Sequence, residues 1–426
     1  MNKSTLRTVI REQHSPTFSA DQSIPREKLG LIQHVCHTPD IIVISGIRRC
    51  GKSTFLDQIR ALYPQSDCYL NFDDDRLIQF SVADFQLLLE VLIEEFGEQD
   101  VFFFDEIQNI PGWERFVRRL HSQGKKVYVT GSNATMLSRE LGTHLTGRYY
   151  PIELYPFSFY EIVAHQAPTL LKHLDSLTTS EKGLMMSLFK TYLLQGGFPG
   201  YLVFKQKDYL KTLFDSILYR DIVNRYHLKD DLAIKETAIY AASHIGKEVS
   251  FSKLAHHLGL SNSVTVKQYF HYLESVYLSF LVRKYDPSLK KQLANAKVMY
   301  SIDPALSRLI GFRPTEDEGR FLENCVFLEL KRRGADLFYH KDKRGCDFLV
   351  REGTVITQAI QVSKEISDPD TKKRELEGLA DALAHYPYAQ GMILTEDTES
   401  QITISLSEGR AQEVQIIPIW KWLLMR

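Results

Sequence analysis

The chain has 426 residues, 44% of them hydrophobic and 25% charged, the make-up of a folded protein with room for roughly two to four domains. Its formal net charge of -1 excludes a general polycation, so any nucleic-acid contact has to come from local basic patches. No apolar run is long enough to span a bilayer, the start Met1-Asn2-Lys3-Ser4-Thr5 lacks the apolar core of a signal peptide, and five scattered cysteines without metal-ligand spacing point to reduced thiols in a cytoplasm.

In chain order, Pro25-Arg26-Glu27-Lys28 opens a helix, with proline suited to its first turn. Ile41 to Ile44 is an apolar run that reads as a buried parallel strand. It leads into Gly46-Ile47-Arg48-Arg49-Cys50-Gly51-Lys52-Ser53, which fits G-x-x-x-x-G-K-[ST], and Thr54 to Arg60 follows with helical spacing. Strand, glycine loop and helix together read as a P-loop. Gly46 and Gly51 let the backbone wrap an oxyanion, while loop amides and the helix N-terminus turn positive dipole ends toward phosphates. The expected ligands are ATP and Mg²⁺. Gly46, Ile47, Arg48, Arg49, Cys50, Gly51, Lys52, Ser53 and Thr54 would hold the nucleotide, with Lys52 on the β- and γ-phosphates and the Ser53 hydroxyl on Mg²⁺.

Cys68 to Phe72 is the next strand, and the acids Asp73, Asp74 and Asp75 after it suit a helix cap better than the site. Val101 to Phe104 is an apolar strand ending in Asp105-Glu106, the Walker B pattern: Asp105 for the metal, directly or through water, and Glu106 to polarise the attacking water. Lys126 to Thr130 ends in Gly131-Ser132-Asn133, where Ser132 or Asn133 can hydrogen-bond the water or the γ-phosphate; a plain turn is the alternative. Arg148 precedes the strand Tyr149 to Leu154 and, taken by itself, reads as a surface ion pair; Arg139 is the other arginine of this stretch. From Ile41 to about Ile162, strands alternate with helical segments, which predicts an open parallel sheet.

Residues 163 to 235 read as helical, interrupted by Gly196-Gly197-Phe198-Pro199-Gly200, where a helical lid would sit over the nucleotide. Ile234 to Ile245 is one helix, Ser252 to Ser261 a short helix closed by a glycine turn, and Ser263 to Leu278 a third, with Val266, Tyr269, Phe270, Leu273 and Val276 on one stripe. Phe280 to Tyr285 and Lys297 to Tyr300 then read as a two-stranded wing, completing a winged helix-turn-helix pattern. Lys267 and Gln268, with Asn262, Ser263 and Thr265, would meet DNA, and Arg283, Lys284, Lys290 and Lys291 its phosphates. The alternative is a protein-docking module, because the third helix is poor in base-reading arginines.

The segments IIVISGIRRCGKST, VFFFDEIQNIPGWE, VYVTGSN, LTGRYYPIELYPFSFYEI and LLQGGFPGYL resemble the bacterial and archaeal AAA-type ATPase family related to the archaeal and STAND ATPases. YRDIVNRYHLKD, SFSKLAHHLGLSNSVTVKQYFHYLESVYL, VMYSIDPAL, FLENCVFLELKRRG and CDFLV resemble the domain of unknown function that usually follows it, so the likeness covers nearly the whole chain. It implies ATP binding with Mg²⁺, hydrolysis, and a homo-oligomer such as a hexameric ring with nucleotide sites at subunit interfaces. It gives Asn133 or Ser132 the role called sensor 1 and Arg148 that of an arginine finger in a neighbour's site.

The C-terminal part resembles a PD-(D/E)xK nuclease core: a helix from Glu323 to Arg332 with acids Glu323 and Glu329, then strands Leu337 to His340, Cys346 to Val350 and Ala359 to Lys364, with Asp347 on the second. Such a site needs two carboxylates for Mg²⁺ and a lysine near the attacking water. Here Gln361 replaces the acid and Ser363 the lysine, while Lys364 points to the other face of the strand. The expectation is a degenerate nuclease fold kept as a structural or DNA-shape-binding module.

The sequence therefore predicts an α/β chain in four parts: a P-loop ATPase core (1–162), a helical lid (163–235), a winged helix (236–312) and a nuclease-like α/β domain (313–426). The function it predicts is a Mg²⁺-dependent ATPase acting on DNA, branched or junction DNA included. The alternatives are a STAND-like switch that docks proteins and an active metal nuclease.

Overall fold

The apolar runs between residues 41 and 153 become a five-stranded parallel sheet: β1 Ile41–Ser45, β2 Cys68–Asn71, β3 Val101–Asp105, β4 Lys126–Gly131 and β5 Tyr149–Glu153. The computed structural model describes residues 1–14, 23–64, 68–133, 147–312, 318–406 and 410–425. The described chain divides into two units, Met1–Tyr155 with Ser275–Tyr277 and Pro156–Glu274 with Leu278–Arg426.

In the first unit the strand order is β2-β3-β4-β1-β5. Every residue of β1 and β3 is buried, as in a sheet covered on both faces. β1 and β3 flank β4, with Ser45 opposite Gly131 and Phe104 opposite Val129, so the loops after all three strands leave one edge together. That edge, at the carboxyl ends of the strands, is where open α/β sheets take ligands. The helix Lys52–Arg60 (α1) follows β1 directly, Phe85–Phe96 (α2) leads toward β3 and Trp113–Ser122 (α3) toward β4. Phe85, Leu88, Phe104, Phe116 and Leu120 share one core with Leu6, Val9 and Ile10 of the N-terminal helix Lys3–His14, so that helix is part of the packing.

The helix expected to open at Pro25 starts at Leu29. Arg26 is drawn out of it and buried: its guanidinium donates to the carbonyl oxygens of Cys50 (2.9 Å) and Tyr155 (2.6 Å). Of the acids after β2, Asp74 caps the next turn, accepting from the Arg76 amide.

The second unit begins with helices, among them Thr179–Gln195, whose N-terminus is closed by a capping box of Thr178 and Glu181 and which stops at Gly196. Then comes a mixed sheet of β6 Glu248–Val249, β7 Ser279–Lys284, β8 Lys297–Ser301, β9 Asp336–Lys341, β10 Gly345–Glu352, β11 Val355–Val362, β12 Gln390–Thr395, β13 Ser400–Ser405 and β14 Ala411–Pro418. Its order is β13-β14-β12-β11-β10-β9-β7-β8-β6. β7 and β8 pair antiparallel, and β7 also runs parallel to β9 through Arg283 opposite Phe338 and Lys284 opposite Tyr339. The helices before them are Phe251–His257 and Ser263–Ser275. The latter ends three residues before Leu278, because Tyr277 turns the chain at φ 63° and the Leu278 amide closes back on the Leu273 carbonyl. Helix Glu318–Arg332 is buried on every side from Phe321 to Leu330. β11 ends at Val362, so Ser363 and Lys364 lie past the strand, and Lys364 is not on the strand's other face as its spacing predicted. Among the described residues no helix is long and apolar enough to cross a membrane.

Candidate functional site

The loop between β1 and α1 owes its shape to its glycines. A Cβ on Gly46 would lie 2.1 Å from the Leu154 carbonyl oxygen, and Gly51 turns at φ 99°, where side chains are strained. Arg49 also takes a positive φ, 65°. Arg26 grips the loop from outside through the Cys50 carbonyl. The Cys50 thiol is buried against the Leu154 carbonyl, and burial pushes its pKa up, which works against oxidation.

Lys52 is 4% exposed at the first position of α1 and points back into the loop. Its ammonium donates to the Ile47 carbonyl at 3.3 Å and lies 3.4 Å from Glu106 Oε1. Burial disfavours this charge, but Glu106, Cys50 and Asp105 outweigh it and hold the lysine protonated. Glu106 itself is kept ionised against its burial by Lys52, by a hydrogen bond from Gln108 Nε2 (2.5 Å) and by Arg48. Its φ of 50° is a left-handed conformation that costs a non-glycine residue on the order of 1–3 kcal/mol.

Asp105 is fully buried, and burial together with Glu106 pushes its carboxyl up to about 6, against pulls from Thr130, Ser53 and Lys52. Oδ1 accepts the Thr130 hydroxyl, while Oδ2 has no partner in hydrogen-bond geometry among the described residues. Thr130 Oγ1 also accepts the Glu106 amide at 2.9 Å, so one hydroxyl at the end of β4 orients both acids. Sequence reasoning missed Thr130 and Arg26; a polar residue inside a buried apolar strand was the available signal for the first. Ser132 and Asn133 follow β4 and are buried, the Ser132 hydroxyl without a hydrogen-bond partner among the described residues. P-loop, acid pair and β4 terminus thus come together.

Arg148 does not join them. Its carbonyl accepts the Ile41 amide, which puts it at the opposite edge of the sheet, exposed. Arg139 lies outside the described residues.

In the second unit Lys267, Gln268 and Arg283 are exposed and Lys284 is half-buried. Lys267 and Arg283 both act on Lys297, whose ammonium is held below the usual lysine range first by burial and then by those two charges, with Glu274 opposing. Lys297 is the member of this basic cluster that the sequence did not single out. Glu323 takes the Tyr300 hydroxyl (2.6 Å) and Arg320 (2.8 Å), and Asp347 takes the Val362 amide (2.8 Å). Gln361 bridges from the Asp347 amide to Glu375 of helix Pro369–His385, an acid that sequence reasoning had not placed there. Burial and the mutual repulsion of Glu323, Asp347 and Glu375 hold the Asp347 carboxyl well above its usual range. Glu329 faces elsewhere and pairs with Arg333 (3.0 Å), and Lys364 pairs with Glu318.

A model of the AAA domain matches residues 38–163, and one of a domain of unknown function (DUF8612) matches residues 186–316. An uncharacterized protein of Methanocaldococcus jannaschii is 32% identical over 400 residues, 90% of this chain and 88% of its own length. The chain belongs to the AAA-type P-loop ATPases. A second relative, an uncharacterized protein of Haemophilus influenzae, is 34% identical over 348 residues, 78% of this chain and 84% of its own. Among solved structures, the Thermotoga maritima RuvB Holliday junction branch migration motor is similar at 16% identity and a TM-score of 0.31, covering 73% of this chain and 100% of that one. Cdc6p from Pyrobaculum aerophilum is similar at 15% identity and 0.27, covering 73% and 98%. The parallel sheet with its P-loop is the AAA fold that the sequence predicted.

Proposed function

We propose that this AAA protein is a Mg²⁺-dependent ATPase that works as a homo-oligomer on DNA. The observation that carries the ATPase reading is the buried Lys52 ammonium 3.4 Å from the Glu106 carboxylate, at the edge where the P-loop and the acid pair meet. Lys52 and the amides of residues 46–54 bind the phosphates, and Glu106 accepts the proton of the attacking water. Ser132 or Asn133 contacts the γ-phosphate or that water.

The residues fit Mg²⁺. Asp105 offers a buried carboxylate oxygen that lacks a donor, and Ser53 is near enough to act on the same carboxyl, an all-oxygen set that suits a hard cation. Asp105 and Ser53 would hold the ion, which supplies neutralisation of the charge that builds on the phosphates.

The DNA reading rests on the exposed Lys267 and Arg283, one on a helix and one on β7, whose positive fields meet at Lys297. The nuclease-like sheet serves as a support without cleavage: Gln361 bonds to Glu375 in place of a metal-binding acid, and Lys364 is taken by Glu318. The test is ATP turnover with and without linear and branched duplexes, at rising salt. Stimulation by DNA that fades with salt supports the proposal. Slow turnover indifferent to DNA, with a stable ADP state, replaces it with a protein-docking switch. Duplex cleavage abolished by Asp347→Ala replaces it with a nuclease.

A further inference from the structure

Helix Pro369–His385 carries Asp381 and His385 one turn apart on the same face, and β9 brings His340 against them. His340 Nε2 lies 3.2 Å from Asp381 Oδ2, and His385 stands beside Asp381 with Nδ1, the ring nitrogen turned away from the proposed ion, 3.9 Å from Oδ1. One nitrogen or oxygen from each of the three falls within 4.8 Å of the others. Asp342, just past β9, sets its carboxylate 3.5 Å from His385 Nε2. We propose that His340, Asp381 and His385, with Asp342 as fourth ligand, form a site for one divalent late transition-metal ion of the zinc class.

The chemistry of the donor set selects the ion. Two imidazoles and two carboxylates are borderline ligands that suit Zn²⁺ over Mg²⁺, and two carboxylates balance a divalent charge. The hydrogen bonds already present leave lone pairs facing one another. His385 Nδ1 is 2.8 Å from the Asp381 carbonyl oxygen, which can only accept, so Nδ1 carries the hydrogen and Nε2 of the neutral ring is an acceptor. That nitrogen faces the Asp342 carboxylate, a contact that either a proton on Nε2 or a metal ion between the two satisfies.

Outer groups orient the set as they do around metals. The Arg344 amide donates to Asp381 Oδ2 at 3.1 Å, and the Tyr386 hydroxyl is 3.3 Å from His340 Nδ1. Two side-chain cations adjacent in sequence are engaged elsewhere: Lys341 with Glu248 and Arg344 with Glu377, both at 2.8 Å. Ligand atoms of a tetrahedral ion lie roughly 3.4 Å apart, so the set is slightly open and closes by rotation of the exposed His385 ring.

The experiment titrates the metal-free full-length chain with ZnCl₂, in excess Mg²⁺ and without nucleotide, and follows bound zinc by calorimetry and elemental analysis. Co²⁺ substitution reports the ligand set by its visible absorption. One zinc per chain, with affinity reduced at least tenfold in His385→Ala and in Asp381→Asn, supports the site. His385 is exposed, so His385→Ala keeps the fold and its unfolding temperature in the absence of zinc. Absence of zinc binding, or stoichiometric binding unchanged in His385→Ala, overturns the proposal.

Discussion

At the residue scale the site hangs on a few buried polar atoms, each with a separable task. Lys52→Ala removes the only contact that brings an ammonium to Glu106 in the described structure, and it is expected to abolish ATP binding in calorimetry. Glu106→Gln keeps the shape and removes the proposed base, so ATP should still bind while turnover falls at least about 100-fold, within the range that general-base catalysis contributes. Thr130→Val is the more discriminating variant. Valine fills the same space but neither donates to Asp105 nor accepts the Glu106 amide. Turnover should fall about 10- to 100-fold, as when outer-shell partners of a metal site are lost. Stability should fall by about 1–3 kcal/mol, because the buried partners are left unsatisfied. Steady-state kinetics and urea unfolding of the same preparation check both. If Thr130→Val turns over normally, Thr130 does not orient the acid pair.

At the scale of elements, single carboxylates tie segments that are far apart in sequence. Asp303 caps the helix Pro304–Ile310 by accepting the Ala305 (2.9 Å) and Leu306 (3.0 Å) amides, and it also accepts the Gly197 amide at 2.7 Å. Burial outweighs these donors and pushes its carboxyl from an ordinary 3.8 up to about 6. The folded chain therefore binds a proton here more tightly than the unfolded chain does. This group's contribution is most favourable below pH 3.8, and stability falls as pH rises through the window up to about 6, by about 3 kcal/mol in all. Urea unfolding between pH 4 and 7 should show that slope in the parent and its absence in Asp303→Asn. The basic face has its own test. Lys267→Ala and Arg283→Ala should each lower the slope of log affinity against log salt by about 1 on a short duplex, and slopes that do not change would make the face a protein-docking surface. Strands β1, β3 and β4 and the P-loop were legible because apolar runs, glycine spacing and terminal acids are local patterns. Arg26, Thr130, Lys297 and Glu375 were not, because each acts on residues that only the folded chain brings near. The same tertiary pull explains the helix read from Pro25: the buried bonds of Arg26 outweigh the helical start that the proline favours.

At the scale of the whole molecule, the first question is whether one chain holds a complete catalytic site. Arg148 stands before the first residue of β5, bonded to Ile41 at the start of β1, while Gly46 follows the last residue of β1. Five residues of strand separate the two ends of β1, which at roughly 3.3 Å per residue is about 16 Å, beyond the reach of one arginine side chain. If Arg148 stabilises the charge on a γ-phosphate, it does so in another copy of the chain. Two variants, each expected to be inactive alone, decide the matter. Arg148→Ala keeps its own P-loop but offers no finger, and Lys52→Ala offers a finger but binds no ATP. Each alone should lose turnover, Arg148→Ala by about 10³-fold or more, as for fingers supplied in trans. Mixed in equal amounts, they should recover activity, because the intact sites of one are completed by the arginines of the other. The recovered rate should follow the mixing ratio and vanish on dilution below the concentration at which the oligomer holds together. An Arg148→Ala chain that turns over ATP at the parental rate as a monomer would return Arg148 to the surface and leave each subunit to work alone.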